Sequence, residues 1–161
     1  MSLSHSMNDS RCEYFCGASI KTKNLFQMPT LTPYLTFTGN CREAMTFYKE
    51  CLGGELSLLV VGESPLVDQM PPQYKDQILH SSLKTNDLEI MASDMQPEKH
   101  IEGNAVHICL TFKTEEDTRD MYDKLSAGGK ARQPIHEMFL GLIGALTDKF
   151  GKLWMVVCDK R

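Results

Sequence analysis

The chain has 161 residues, 42% hydrophobic and 24% charged, which is ordinary globular material for one domain or two small halves sharing a core. A formal net charge of −4 and a pI near 5.7 exclude the basic face that a nucleic-acid partner needs. No apolar run approaches the length that crosses a bilayer, and the N-terminus lacks a basic-then-apolar leader, so the expectation is a cytoplasmic protein without a membrane partner.

Residues 1–28 follow neither the helical nor the strand period and read as a flexible N-terminal extension, whereas residues 29–161 read as a single domain. Its first module spans about 30–95. Residues 31–37 predict a strand and residues 40–52 a helix. Asn40 is a good N-cap, and Glu43 three residues on completes a capping-box pattern. Ala44, Phe47, Tyr48, Cys51 and Leu52 share one face of that helix, and Gly53-Gly54 stops it. A strand follows over 55–61, then a loop punctuated by Pro65, Pro71 and Pro72. Residues 78–84 and 88–93 predict a hairpin turning at Thr85-Asn86-Asp87.

Residues 94–103, with Pro97 and Gly103, form the natural linker to a second module of about 103–160. There 106–112 predicts a strand. Thr114 caps a helix over 115–126 whose apolar stripe is Met121, Tyr122 and Leu125. Strands over 131–139, 144–147 and 153–158 complete it, and Asp148-Lys149-Phe150-Gly151 makes the last turn, with Asp148 capping and Gly151 at positive φ. Strand, helix, strands therefore occurs twice, and such a duplication builds one cavity between two halves.

The six cysteines carry no zinc-like spacing. Cys12 and Cys16 lack a second pair, and Cys41, Cys51, Cys109 and Cys158 are scattered through predicted elements, where small buried hydrophobes with free thiols are expected. No nucleophile–base pair, phosphate loop or dinucleotide fingerprint occurs, so no nucleotide cofactor is implied.

Several stretches stand in a telling order: Thr32-Pro33-Tyr34-Leu35, Gly39-Asn40-Cys41-Arg42-Glu43-Ala44, Phe47-Tyr48, Gly53-Gly54-Glu55, Ile90-Met91-Ala92-Ser93-Asp94, Glu137-Met138-Phe139, and Leu146-Thr147-Asp148-Lys149-Phe150-Gly151-Lys152-Leu153-Trp154-Met155. Together, over residues 30–159, they resemble the vicinal-oxygen-chelate superfamily (glyoxalase, bleomycin-resistance and extradiol-dioxygenase proteins), and within it the PhnB-like branch. The resemblance implies an α+β fold of two βαβββ modules curling into a half-open barrel around one cavity. It also implies a homodimer and, in the enzymes of the superfamily, a divalent metal such as Zn, Ni, Fe or Mn.

Carried over position by position, half of the metal set survives. The first ligand falls near Pro33, which cannot coordinate; the second and third fall at His80 and His107; the fourth, a glutamate in metal-dependent glyoxalases, falls at Met155. Strand alternation puts His80 on one face with Ile78 and Ser82, and His107 on one face with Cys109 and Thr111. The implied cavity is lined by His80, Ser82, His107, Cys109, Glu137, Phe139 and Met155, with His80 and His107 as candidate metal ligands. Glu137 matches an acidic position of the branch. Within an apolar cavity its carboxylate would gain proton affinity and serve as a general base, whereas a salt-bridged structural carboxylate is the other reading. His136 is its neighbour, so only one of the two faces the cavity. Trp154 and Phe139 read as core or pocket wall.

Three functions fit: a small-molecule-binding PhnB-like protein; a divalent-metal-dependent lyase, isomerase or dioxygenase-like enzyme; or a metal-free, resistance-type sequestering protein. The missing ligands at Pro33 and Met155 speak against the second.

Overall fold

In the computed structural model, which describes residues 30–95, 99–139 and 141–159, the duplicated pattern folds as two like modules. The first holds β1 (Tyr34–Thr36), α1 (Cys41–Leu52), β2 (Glu55–Val60), β3 (Ile78–Lys84) and β4 (Glu89–Ser93). Three short 3-10 turns within 61–74 carry the proline-rich loop. The second holds β5 (Ile108–Phe112), α2 (Glu115–Ser126), β6 (Lys130–Met138), β7 (Gly141–Thr147) and β8 (Leu153–Cys158). The extension read for residues 1–28, with Cys12 and Cys16, lies outside the described residues, as do Pro97 and Leu140.

Each module makes a mixed four-stranded sheet, ordered β1-β4-β3-β2 and β5-β8-β7-β6. The first strand lies parallel to the last, and the remaining pairs are antiparallel. β1 is shorter than the expected 31–37. Pro33 has no N–H to give the ladder, although its carbonyl accepts from Met91 N at 3.0 Å. β5 starts at Ile108, level with Trp154 near the start of β8, so Val106 and His107 precede the strand.

The helix entries differ in kind. Thr114 caps α2 locally, its Oγ1 accepting from Asp117 N at 3.1 Å. Asn40 makes no such bond. Instead Asp94, at the end of β4 and 7% exposed, accepts through Oδ1 from Gly39 N (2.8 Å) and Cys41 N (3.0 Å), and through Oδ2 from Ile78 N (3.0 Å). One carboxylate thus ties α1 to β3 and β4. Asp94→Asn turns an NH₂ toward donors, and should cost about 2 kcal/mol in urea unfolding through the lost charge-assisted bonds.

Both helices and the sheet faces beneath them share one core, which includes Phe37, Met45, Tyr48, Leu83, Leu125, Leu146, Trp154 and Val156. Trp154 is fully buried, so it is core. Asp148 joins the two modules there. Its Oδ2 accepts from Tyr48 OH (2.6 Å) and Trp154 Nε1 (2.8 Å), and its Oδ1 from Phe150 N and Lys152 N (2.9 Å each). The turn cap read from the sequence is therefore also a cross-module bond. Burial, reinforced by the Asp148 charge, pushes the Tyr48 phenol well above its usual range.

Candidate functional site

Because the helix-bearing faces enter this core, the opposite faces of the two sheets stay open. On the first sheet His80 is level with Leu59, and Ser82 with both Ser57 and Met91, while Met91 is level with Tyr34. Residues directly opposite each other point to the same side, so His80, Ser82 and Tyr34 share the open face. The His80 and Tyr34 rings lie 6.1 Å apart. Ser82 is already engaged: its hydroxyl donates to Glu89 Oε1 at 2.7 Å. That bond, with Lys84 at 3.3 Å, holds the Glu89 carboxyl below the usual carboxylate range.

On the second sheet Cys109 is level with Met155, and Thr111 with Val157. Cys109 is exposed, contrary to the buried hydrophobe expected, because it alternates with Ile108 and Leu110, which pack on the core. Cys41 fits the expectation: it is buried, and desolvation pushes its thiol up to about 12.

Two nominated residues lie elsewhere. Glu137 is level with Leu142, which is 1% exposed and shares its side of β7 with Gly144. A Cβ on Gly144 would meet the Tyr122 ring of α2, so this is the helix side of the sheet. His136, level with Ile143, takes the open side instead. Its Nδ1 donates to the Pro134 carbonyl at 3.0 Å, which leaves Nε2 to accept from Gln133 Nε2 at 3.1 Å. Phe139 follows the last pair of the β6–β7 hairpin, Met138 with Gly141, and is 86% exposed, so it is not core.

Where β1 approaches β5, a cleft of about 330 Å³ opens. Tyr34, Leu35 and Thr36 line it from β1. His100, Ile101, Glu102, Gly103, Ala105 and Val106 contribute from the connecting segment, with Ile108, Lys152 and Leu153 beyond. None of the seven nominated residues lines this cleft. His80 adjoins it through Tyr34, and His107 stands between the lining residues Val106 and Ile108. Ser82, Cys109 and Met155 lie along the open faces.

Lys152 escaped the sequence reading, since lysines are by default solvated. Here its side chain is 8% exposed. The ammonium donates to Thr36 O at 2.9 Å and to the Glu102 carboxylate, and sits 4.6 Å from the Phe37 ring centre. Glu102 Oε1 also meets His100 Nε2 at 2.6 Å. Partial burial works against Glu102 ionisation, but Lys152 and His100 outweigh it and hold the carboxyl below its usual range. The available signal was position: Lys152 stands between Gly151 and the apolar strand opening at Leu153-Trp154.

The donor set of a metal-dependent relative does not fit these residues. Pro33 and Met155 supply neither nitrogen nor carboxylate oxygen, which leaves only the two histidines of the four positions. Among the described residues no three His, Cys, Asp or Glu side chains come together as a metal-binding group. Likewise, among those residues no helix is long and apolar enough to cross a membrane.

The family model of the Glyoxalase/Bleomycin resistance protein/Dioxygenase superfamily matches residues 30–156. Protein YjdN of Escherichia coli K12 is 32% identical over 136 residues, covering 78% of this chain and 92% of its own. The crystal structure of PA1353 from Pseudomonas aeruginosa superposes with a TM-score of 0.74 at 34% identity, covering 82% of this chain and 98% of that one. A PhnB protein from Bacillus cereus shares the fold at a TM-score of 0.61 and 24% identity, over 81% of this chain and 100% of its own.

Proposed function

The chain belongs to the Glyoxalase/Bleomycin resistance protein/Dioxygenase superfamily, and from that premise we propose that it is a PhnB-like member that binds a small organic molecule without a metal, in the cleft beside β1. The observation that carries this reading is the cleft itself. An opening of about 330 Å³, walled by Tyr34, Ile101, Val106 and Ile108 and holding a buried Lys152, has the size and the mix of apolar wall and few polar groups that ligand sites show. His80, its ring 6.1 Å from that of Tyr34 and tilted 32° to it, flanks it from the open face and is the polar neighbour a ligand would meet next. The homodimer belongs to the same reading: β6 runs along the edge of its sheet with eight of its nine residues exposed, a strand edge free to meet another copy.

The test is a thermal-shift panel of small carbonyl, diol and carboxylate compounds, run with and without EDTA. At least one compound should raise Tm by about 2–4 °C, equally in EDTA, and the shift should vanish in Tyr34→Ala. A shift that EDTA removes, and that Zn, Ni, Fe or Mn restores, would favour the metal-dependent enzyme instead.

A further inference from the structure

The cleft holds an unequal pair of charges. The Lys152 ammonium is almost wholly removed from water, where an ammonium without a counter-charge is strongly disfavoured. Its counter-charge comes from Glu102, in a connecting segment without regular secondary structure, whose side chain is 42% exposed. Being 42% exposed, on a segment that also carries its other partner His100, the carboxylate can swing into water, whereas Lys152 cannot leave: its ammonium is held between Thr36 O and the Phe37 ring. A second observation is independent of charge. Ile101 and Val106 both line this cleft, yet are 80% and 81% exposed, so large apolar surface stands uncovered next to the buried cation.

We propose that Lys152 is the anion anchor of the cleft, that its ligand is a small monocarboxylate with an apolar body, and that Glu102 is a tethered stand-in which this carboxylate displaces. This rests on the small-molecule reading above and names the substrate class of that site. The ligand's carboxylate takes over the charge-assisted bond to Lys152, which is stronger than a neutral one. Its apolar body covers Ile101 and Val106. Glu102 competes for the same ammonium, so the free protein keeps Lys152 neutralised without any bound anion.

Benzoate and its neutral isostere benzamide separate these claims by calorimetric titration. Wild-type protein should bind benzoate about tenfold or more tightly than benzamide, a difference of about 1.4 kcal/mol. Glu102→Gln removes the competing charge and should tighten benzoate about threefold or more while leaving benzamide unchanged. Lys152→Met should abolish the preference, and Lys152→Arg should keep it. If Lys152→Met fails to fold by circular dichroism, the Glu102→Gln and Lys152→Arg results decide. Equal affinities for the two probes would overturn the anchor and leave the small-molecule reading standing. Benzoate binding unchanged or weakened in Glu102→Gln would overturn the stand-in. Binding of neither probe, to wild type or Glu102→Gln, would overturn the proposal, and the panel above then judges the broader reading separately.

Discussion

Replacing Asp148 with alanine is expected to lower the unfolding free energy by about 3–5 kcal/mol, the range seen when one partner of a buried charged network is removed. Asp148 is 3% exposed and its two oxygens satisfy four donors, so alanine leaves Tyr48 OH, Trp154 Nε1 and the amides of Phe150 and Lys152 without an acceptor at once. Tyr48 and Trp154 are fully buried, so neither reaches bulk water for a replacement acceptor. The single tryptophan is one of the four donors, so its fluorescence in a urea titration reports on the site directly. A loss under about 1 kcal/mol with an unchanged m-value would show that the four bonds contribute little net stability. Tyr48→Phe supplies the control, at about 1 kcal/mol for one bond. It also carries a pH signature. The folded phenol holds its proton more tightly than the unfolded one, so above about pH 10 the unfolded chain ionises first and wild-type stability falls with rising pH. The phenylalanine variant should lose that part of the alkaline slope.

The elements legible in the sequence are those whose signals are local. The bounds read for α2, β3 and β8 coincide with the observed ones, since period, cap and turn residues there lie within a few positions of each other. The entry to α1 is not legible locally because its cap comes from Asp94, more than fifty residues downstream, while Asn40 has the right residue type and no bond. Alternation along β3 put His80 and Ser82 together on what is the open face, but it wrongly grouped Ile78 with them: the β2–β3 pairing shifts between Leu59 and Val60, and Ile78 is fully buried in the core. It failed on β6, whose pairing with β7 shifts between Ala131 and Gln133 and again between Gln133 and His136. Each irregularity resets which residues share a face, so counting along the sequence could not tell Glu137 from His136. Position alone hints at Lys152, but nothing local ties it to Glu102: fifty residues separate the two, and only the approach of β1 to β5 gives them a common cleft.

Gly54→Ala is expected to cost about 4 kcal/mol, far more than the same change at Gly53, about 2 kcal/mol. Both glycines sit between α1 and β2 at positive φ, 74° for Gly53 and 90° for Gly54, so both substitutions meet the backbone penalty of an L-residue in that region. Their surroundings differ. A Cβ on Gly53 meets nothing within 4 Å, whereas one on Gly54 would stand 2.2 Å from the Lys84 carbonyl oxygen and 2.9 Å from its carbon. That obstacle is main chain at the end of β3, paired with Glu55 at the start of β2, and cannot rotate away as a side chain would. Relief requires β2 to move against β3. That movement disturbs the pairing of Leu56 with the fully buried Leu83, and further along that of Leu59 with His80. The variant should therefore lose stability in urea and also weaken ligand binding in the cleft beside β1, through the His80–Tyr34 contact, although Gly54 itself lines none of the cleft. Equal losses for the two glycine variants would mean that backbone conformation alone sets the cost and that the close approach to Lys84 is relieved without strain. A larger loss at Gly54, with a shifted His80 ring resonance by NMR, would trace the effect along β3 to the site.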